Sequence, residues 1–429
     1  MVVLKFGGTS LRDYPYQVLS RIMGAASRSN KQQVVVVVSA LAGITDALWQ
    51  RNLSRVREIL HKWKKDHSIH GSVMQTISKP METLRKHLLA DANSKTPPSN
   101  LLVSLGEKIS ALLISDMLDM HGVSSLALWA DVNMLCVQQS KGTKTLRCNI
   151  KRVRTCLEKG IVPVVTGYCA FDEASCQTQL LGRNGSDTTA TILAQNLKQD
   201  CTIFTDVQGI YTTDPRLCEF AVPVREMTFG EIRELAFHGA SVLHGECIDY
   251  AEKNSDRKLT VAHVSDRGWR RRGTLVTSYL SCERDSHVIA LAVLQNRIGV
   301  SVRAECGTVG FACKVFQRIG AECVSVEMFS QTCSERSICI IVPESARTKV
   351  AKALKEYTVE FSENLCILTV VGESMRNTPG VAADVCTAIS ARGINIRCIS
   401  QGASEMSLSI AVPQCNLREA VEAVHDIIV

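Results

Sequence analysis

The stretch Val2-Val3-Leu4-Lys5-Phe6-Gly7-Gly8-Thr9-Ser10 decides the fold of this chain. Its apolar first half, interrupted by one lysine, predicts a buried strand, and the two glycines predict a turn into a helix. Such a turn leaves backbone N–H groups uncovered, and these groups and the Lys5 ammonium can approach phosphate oxygens closely. Because Lys5 precedes the glycines, the stretch is not a Walker-type loop. By itself it fits a core strand with a snorkelling lysine equally well.

Composition places the chain among ordinary globular proteins. Of its 429 residues, 45% are hydrophobic and 21% are charged, which is typical of a protein with two or more domains. No apolar run approaches the length of a membrane-spanning helix, and no secretory signal is visible, so we expect a cytoplasmic protein with no membrane partner. The net charge of +7 is modest and comes without interleaved aromatic residues or a nucleic-acid motif, so we expect no nucleic-acid partner.

The cysteines are numerous but are not arranged as a framework. All 18 lie at or after Cys136, and no pair has the CxxC spacing. Several stand inside apolar runs, namely Cys201, Cys339, Cys366 and Cys398. This pattern indicates reduced cysteines that serve as small core residues, and it favours neither disulfides nor a zinc site. We expect no metal held by protein side chains alone.

Strand and helix patterns alternate over residues 1–280, which predicts an α/β domain with a mainly parallel sheet. Strands are predicted at Val2–Phe6 and Val34–Val38, and at residues 126–130, 162–166 and 201–204. Residues 51–100 are polar, basic and compatible with helix, and we interpret them as a peripheral helical insertion.

Polar loops follow several of these strands. Residues 39–45 follow the all-valine strand, and Gly182-Arg183-Asn184-Gly185-Ser186-Asp187 opens a helix that is predicted to end near Leu197. In open α/β sheets, ligands bind at the carboxyl ends of the strands. Ser186 or Asp187 fits a simple helix N-cap. Alternatively, the helix start and Arg183 together hold an anionic ligand.

The last third of the chain contains an internal duplication. Three landmarks recur 70 residues later along the chain. Gly310 corresponds to Gly380, the segment that begins at Ser330 corresponds to the one that begins at Ser400, and Pro343 corresponds to Pro413. A single offset across separate landmarks indicates a true repeat. Each copy has the pattern strand, helix, strand, strand, helix, which predicts two α+β modules at residues 286–360 and 361–429.

Taken in order, these motifs resemble the aspartate kinase family. The matching segments are LKFGGTS, residues 39–45, GRNGSDTTA, TDVQGIYTTDPR and GASVLH, and the duplicated tail is similar to tandem ACT domains. The resemblance implies an amino-acid-kinase fold with two ferredoxin-like ACT modules. It also implies phosphoryl transfer from ATP to the side-chain carboxylate of L-aspartate, with Mg²⁺ bound mainly through the nucleotide. The product, 4-phospho-L-aspartate, would enter lysine, diaminopimelate, threonine and methionine biosynthesis.

The resemblance also implies roles for individual residues. Those matching the residues that hold the phosphates and the rest of the nucleotide are Lys5, Gly7, Gly8, Thr205, Asp206, Tyr211, Asp214 and Arg216. Those matching the aspartate site are Ser39, Thr45, Glu107, Arg183 and Ser186. Lys5, Arg183 and Asp187 are the catalytic candidates. The effector candidates are Gln331, Ser334 and Gln401, and they leave lysine and threonine open as the feedback amino acid. A homodimer or higher homo-oligomer through the ACT modules is expected.

Some positions depart from the family pattern. Ser241 stands where a lysine near the nucleotide is common, Gly245 replaces a frequent proline, and Gln208 replaces an acid. The Ser241 difference removes one possible contact to ATP. Two alternatives therefore stay open: another amino-acid kinase that acts on glutamate, N-acetylglutamate or a nucleotide, and a non-catalytic amino-acid sensor whose kinase domain is degenerate.

Overall fold

The structure is a computed structural model, and its description covers most of the chain. The described residues are 1–28, 33–67, 82, 99–132, 134–140, 143–182, 184–240, 243–254, 256–265, 273–281, 287–303, 310–331, 336–376 and 378–428. They divide into two compact units. The first unit consists of Met1–Ile210, Arg225–Phe229 and Val242–Tyr279, and the second consists of Tyr211–Val224, Gly230–Ser241 and Leu280–Val429.

In the described part of the first unit, eight strands form the main sheet. They are β1 (Val2–Phe6), β2 (Val34–Val38), β3 (Ser125–Leu128), β6 (Val162–Thr166), β9 (Asp200–Thr205), β10 (Glu226–Thr228), β11 (Leu259–His263) and β12 (Thr274–Thr277). The order is β10-β12-β11-β9-β1-β2-β6-β3, and only β11 and β12 pair antiparallel. The predicted mainly parallel sheet is confirmed.

The first unit also contains a smaller, four-stranded sheet, which the sequence patterns do not predict. It has the order β5-β4-β7-β8, with β4 (Leu135–Ser140), β5 (Thr143–Cys148), β7 (Cys169–Asp172) and β8 (Gln177–Leu180). These strands are short and mix polar with apolar residues, so their sequences carry no clear period. The register of β7 with β4 places residues from distant parts of the sequence side by side.

Helices follow most strands of the chain up to residue 252. They are α1 (Gly8–Asp13), α2 (Pro15–Arg28), α3 (Ile44–Trp49), α4 (Leu53–Asp66), α5 (Asn100–Met120), α6 (Lys151–Glu158), α7 (Gly185–Leu197), α8 (Phe229–Phe237) and α9 (Gly245–Glu252). The predicted end of α7 at Leu197 is confirmed. Of the predicted helical insertion at residues 51–100, the part covered by α4 (Leu53–Asp66) is helical. Residues 68–81 and 83–98 lie outside the described residues.

One core joins the sheet to its helices in the first unit. The five valines of β2 are fully buried, as are Phe6, Val18 and Ile22. Helix α4 also contributes, because it buries Trp63, whose indole N–H donates to the Leu11 carbonyl over 2.9 Å. Burial of this much apolar surface stabilises the sheet edge on which the loops of the candidate site are carried.

The described part of the second unit is built on a six-stranded antiparallel sheet. Its strands are β13 (Ala290–Arg303), β14 (Met328–Gln331), β15 (Ser337–Pro343), β16 (Thr358–Val371), β17 (Cys398–Gln401) and β18 (Ser407–Pro413). Its helices are α10 (Phe311–Ala321), α11 (Arg347–Ala353), α12 (Val381–Ala391) and α13 (Leu417–His425). The predicted pattern of strand, helix, strand, strand, helix is confirmed in both modules.

The repeat extends to the backbone conformation of single residues. Gly310 and Gly380 precede the first helix of each module, with left-handed φ angles of 78° and 99°. Glycine reaches this region without strain, which is a physical reason for a glycine at both places. Strand order β14-β15-β13-β16-β18-β17 places the two modules side by side in one sheet, with β14 and β17 at its edges.

The second unit also contains segments from the middle of the chain. Thr212 shares a 2.8 Å hydrogen bond with His425 Nε2 on α13, and its carbonyl accepts from Leu291 N over 2.6 Å. On α8, Glu231 accepts from Glu373 N over 3.0 Å, and Glu234 accepts from the Ser404 hydroxyl over 3.1 Å. These contacts make residues 211–224 and 230–241 part of the compact unit that carries the duplicated modules.

Candidate functional site

The candidate site of the first unit lies at the carboxyl ends of its central parallel strands. Backbone hydrogen bonds join the strand ends: Ser39 N donates to Phe6 O over 3.1 Å, Gly7 N to Phe204 O over 3.2 Å, and Gly167 N to Val38 O over 2.8 Å. The rings of Phe6 and Phe204 stack beneath this edge with centroids 5.0 Å apart. The loops after β1, β2, β6 and β9 are therefore held together as one surface.

Lys5 and Asp187 form a buried ion pair at this edge. Lys5 Nζ lies 2.6 Å from Asp187 Oδ1, and the two side chains are 10% and 5% exposed. Asp187 belongs to the first turn of α7, where the helix dipole favours a negative charge. Desolvating two charges is costly, so a buried pair is weak evidence of a purely stabilising role. The ammonium has three donors, and the contact with Asp187 uses at most one of them, which leaves capacity for an anionic ligand.

The Gly7–Gly8 turn brings backbone to within reach of this ammonium. A Cβ at Gly7 would lie 3.6 Å from Lys5 Nζ, so the ammonium stands directly beside the turn. A Cβ at Gly8 would overlap the carbonyl oxygen of Ala40, and Ala42 N donates to Gly8 O over 3.1 Å. The turn after β1 thus packs against the loop after β2 with no room for a side chain.

Ser186, at the start of α7, packs against the loop that follows β6 at the same edge of the sheet. A Cβ at Gly167 would come within 2.5 Å of Ser186 Oγ, so the loop after β6 and the start of α7 touch through a glycine. The next residue, Tyr168, has a φ of 68°, a left-handed conformation that is uncommon for a residue other than glycine. Such strained positions are concentrated at functional sites.

Glu107 places a buried carboxyl group beside the loop after β2. Its Oε1 accepts from Ala40 N over 3.3 Å, whereas Oε2 has no hydrogen-bond partner among the described residues. Burial raises the pKa of Glu107 to about 8, against the lowering effect of backbone hydrogen bonds. A buried carboxyl group with an open oxygen suits a ligand that brings a cationic donor, such as an ammonium group.

Other buried polar atoms near these loops lack partners within the described ranges. They are Ser10 Oγ on α1 and Thr188 Oγ1 on α7, both about 1% exposed as residues. Asp187 Oδ1 contacts Lys5 without the angles of a hydrogen bond. Because buried polar groups are almost always satisfied, such atoms at one edge indicate room for a polar ligand.

The remaining predicted site residues fall in different places. Thr205 is the last residue of β9 and Asp206 follows it at the same edge, where the Thr205 hydroxyl donates to Asp206 over 3.0 Å. Thr45 lies in the first turn of α3. Tyr211, Asp214 and Arg216 belong to the second unit, where Asp214 and Arg216 form a 2.7 Å ion pair. Gln331 and Gln401 are exposed on the edge strands β14 and β17. Arg183, Ser241 and Ser334 lie outside the described residues.

Sequence reasoning missed three residues near Glu107. Lys108 and Asp131 form a 2.9 Å ion pair, and Tyr168 has the strained backbone described above. Lys108 was visible only as one more charged residue on a helix, and Asp131 lies in a loop with no motif. The glycine directly after β6 was a usable signal, since a glycine at the end of a parallel strand favours close approach of backbone.

The described residues contain neither a cluster of metal-binding side chains nor a membrane-spanning helix. Among the described residues, no group of three or more His, Cys, Asp or Glu side chains could hold a metal ion. The described helices include none that is long and apolar enough to cross a bilayer.

Comparison with known proteins identifies the class of this protein. The model of the amino acid kinase family matches residues 1–263, and an ACT domain model matches residues 300–357 and 368–427. The chain belongs to the amino acid kinase family, with the predicted ACT modules in its last third. This agrees with the mainly parallel sheet and the duplicated antiparallel sheet.

Within that family, aspartokinases of several bacteria match along the whole chain. The chain is 28% identical to an aspartokinase of Geobacillus stearothermophilus, over 99% of this chain and 96% of the relative. It is 29% identical to aspartokinase 2 of Bacillus subtilis, over 99% and 97%. The crystal structure of Escherichia coli aspartokinase III with aspartate and ADP has a TM-score of 0.79 and 26% identity, covering 100% of this chain and 99% of that chain. The predicted resemblance to aspartate kinases is confirmed.

Proposed function

We propose that this protein is an aspartate kinase, which transfers the terminal phosphoryl group of MgATP to the side-chain carboxylate of L-aspartate and forms 4-phospho-L-aspartate. One observation carries the proposal: a buried lysine at a glycine turn and a buried carboxyl group with an open oxygen lie at one edge of one sheet. The first suits phosphates, and the second suits an amino acid's ammonium group. The E. coli structure with aspartate and ADP supports this pair of ligands.

The residues of this chain fit a mechanism of positioning and charge neutralisation. The substrate carboxylate is already ionised near pH 7, so no general base is required. Lys5, held in place by Asp187, would stabilise the charge that spreads over the transferring phosphoryl group. A bound Mg²⁺ ion would neutralise phosphate charge. Glu107 would bind the α-ammonium group, and Arg183 would clamp a carboxylate with its two-pronged guanidinium.

The hydroxyl groups of Ser39, Thr45 and Ser186 complete the proposed aspartate site. Ser39 and Ser186 lie at the joined strand ends, which would orient the substrate carboxylate for in-line attack. The product is an acyl phosphate, and its place as the first step toward lysine, diaminopimelate, threonine and methionine is part of the proposal. Thr205, Asp206, Tyr211, Asp214 and Arg216 are proposed as nucleotide contacts.

The direct test is ADP release with MgATP and L-aspartate. Aspartate-dependent turnover, absent with glutamate, N-acetylglutamate or a nucleotide as acceptor, is the expected result. No turnover from a folded protein that still binds an amino acid would overturn the proposal. That outcome would favour a sensor with a degenerate kinase domain and would direct attention to Ser241 and Gly245.

We expect the dependence of aspartate use on pH to follow Glu107. Its pKa is raised to about 8, so the carboxyl group is protonated below that pH and binds an ammonium group poorly. The value of kcat/KM for aspartate should rise about tenfold per pH unit up to about pH 8 and then level off, since this parameter reports the free enzyme. A flat profile between pH 6 and 8, measured with saturating MgATP, would contradict the assignment.

Feedback control through the ACT modules is the second part of the proposal. The E. coli homologue structure with lysine and aspartate, described as the T-state, supports lysine as effector, and threonine is the alternative. Gln331 and Gln401 end equivalent edge strands and are exposed, as the flanking Phe329 and Ile399 also are. Exposed apolar side chains that lie together favour contact with another chain. We propose a homodimer or higher homo-oligomer formed there, with the effector site at Gln331, Ser334 and Gln401.

Substitution of the two glutamines separates regulation from catalysis. Gln331→Ala or Gln401→Ala should raise the inhibitory concentration of lysine or threonine by about tenfold, the effect of losing one or two hydrogen bonds to a charged ligand. Uninhibited kcat should stay within about twofold, because neither residue belongs to the proposed catalytic edge. Inhibition curves with each amino acid measure this. An unchanged curve for both variants would remove these residues from the effector site.

A further inference from the structure

A second buried ion pair lies next to Glu107 and takes no part in the mechanism described above. Lys108 Nζ lies 2.9 Å from Asp131 Oδ2, and the side chains are 11% and 2% exposed. The Thr178 hydroxyl donates to the same oxygen over 2.8 Å, and Asp131 Oδ1 has no partner within the described part of the chain. Desolvation makes such a pair expensive unless it has a further role.

The charges of this pair are close to that of Glu107. Lys108 follows Glu107 directly on α5, and the buried thiol of Cys169 feels the charges of Glu107, Lys108 and Asp131 together. A lysine ammonium has the same chemistry as the α-ammonium group of an amino acid. Being tethered to the same helix, it would compete with the substrate at a high effective concentration.

We propose that Asp131 is a positioning residue for the aspartate site: it holds the Lys108 ammonium away from Glu107, so that the open oxygen of Glu107 stays available for the substrate's α-ammonium group. Thr178 orients the Asp131 oxygen that binds Lys108. This inference rests on the proposed function, because it concerns the same ammonium site. This role accounts for the buried Asp131 carboxylate beside Lys108, the residue that directly follows Glu107.

The charges around Glu107 fix the direction of the expected changes. Lys108 lowers the pKa of Glu107 and Asp131 raises it, while burial has the largest effect. Among the described residues, the Tyr168 hydroxyl and the Cys169 thiol also feel the Glu107 charge, and burial raises the pKa of each, so both are neutral at pH 8. Loss of the Asp131 charge therefore lowers the pKa of Glu107 and releases Lys108 to pair with it.

The test compares Asp131→Asn with the double variant Lys108→Met/Asp131→Asn. For the single variant we expect the KM for aspartate to rise about tenfold, because the Lys108 ammonium then competes with the substrate's α-ammonium group for Glu107. The kcat should stay within about twofold of the wild-type value. The rise of kcat/KM for aspartate with pH, which is the acid limb of the pH profile, should move to lower pH. The double variant removes the competing ammonium, so KM and the limb should return toward wild type. Asp172→Asn is the matched control, since it removes a carboxylate that accepts from the nearby Ala174 N and Ser175 hydroxyl, and it should leave the KM for aspartate and the pH profile unchanged.

The outcomes separate this inference from the proposed function. An active wild-type enzyme in which Asp131→Asn leaves KM and the pH limb unchanged, or in which the double variant is as impaired as the single one, overturns the role of Asp131. If the single variant does not fold, the double variant decides: wild-type KM supports the inference, and a raised KM contradicts it. If the wild type shows no aspartate-dependent turnover, the proposed function fails, and NMR titration of the Glu107 carboxyl carbon in wild type and Asp131→Asn still measures the predicted fall in its pKa.

Discussion

Lys5→Ala should lower kcat by at least about a hundredfold, while the KM for aspartate changes little. The ammonium is proposed to act on charge that develops in the transition state, and loss of such a donor is worth about 3 kcal/mol or more. Steady-state kinetics with saturating MgATP and variable aspartate measure the effect. The exposed Lys159, on the same unit, supplies the control, because Lys159→Ala removes a lysine from a surface turn. A normal kcat for Lys5→Ala would refute the role.

The buried partner of Lys5 requires a second variant. Without Lys5, the Asp187 carboxylate is left buried and unpaired, and breaking such a pair destabilises a protein by about 3–5 kcal/mol. Lys5→Ala/Asp187→Asn removes the orphaned charge and should recover much of the thermal stability. Its kcat should stay as low as that of the single variant. Recovery of kcat along with stability would show that the single variant was merely misfolded.

Glu107→Gln should raise the KM for aspartate by about tenfold to a hundredfold, since a hydrogen bond to a charged group is worth roughly 1.5–3 kcal/mol. The amide keeps the shape of the side chain and its acceptor oxygen toward Ala40, but it loses the charge that binds an ammonium group. The KM for ATP should be unaffected. The rise of kcat/KM toward pH 8 should also disappear, because that limb belongs to the Glu107 carboxyl group.

The control for this variant is an exposed glutamate in the same unit. Glu58 on α4 is 64% exposed and pairs with Arg55, so Glu58→Gln removes a carboxylate at no buried site. Its aspartate KM and pH profile should match those of the wild type. If Glu107→Gln also matches the wild type, the ammonium of the substrate binds elsewhere, and the inference about Asp131 falls with it.

Several elements of the fold could be predicted closely from the sequence. The strands Val2–Phe6 and Val34–Val38 have the predicted bounds, because continuous apolar runs are typical of parallel strands buried on both faces. Strand β3 begins one residue earlier and ends two residues earlier than predicted, since it lies at the end of the sheet and only Leu128 of its four residues is buried, which leaves a weaker pattern. Local composition, in short, predicts an element best where burial is complete.

The site was predictable in part for the same reason. Lys5 in β1, Gly7 in the turn after it and Ser186 at the start of α7 stand out in the sequence, and the parallel topology brings these segments to one edge. The Lys5–Asp187 contact joins residues that are far apart in sequence, and no local pattern reports it. The motif that contains Tyr211 and Asp214 was assigned to the nucleotide, yet these residues pack in the compact unit that holds the duplicated modules.

By itself, the sequence determined the strand–glycine-turn–helix start, the strand runs of the main sheet and the duplication with its paired glycines, because these depend on local hydrophobicity, backbone freedom and repetition. Only the tertiary structure decided that Glu107 is buried with one open oxygen and a pKa of about 8. It also decided that Lys108 pairs with Asp131 and Thr178. Burial and charge environment are set by side chains from distant segments, and packing alone brings these together.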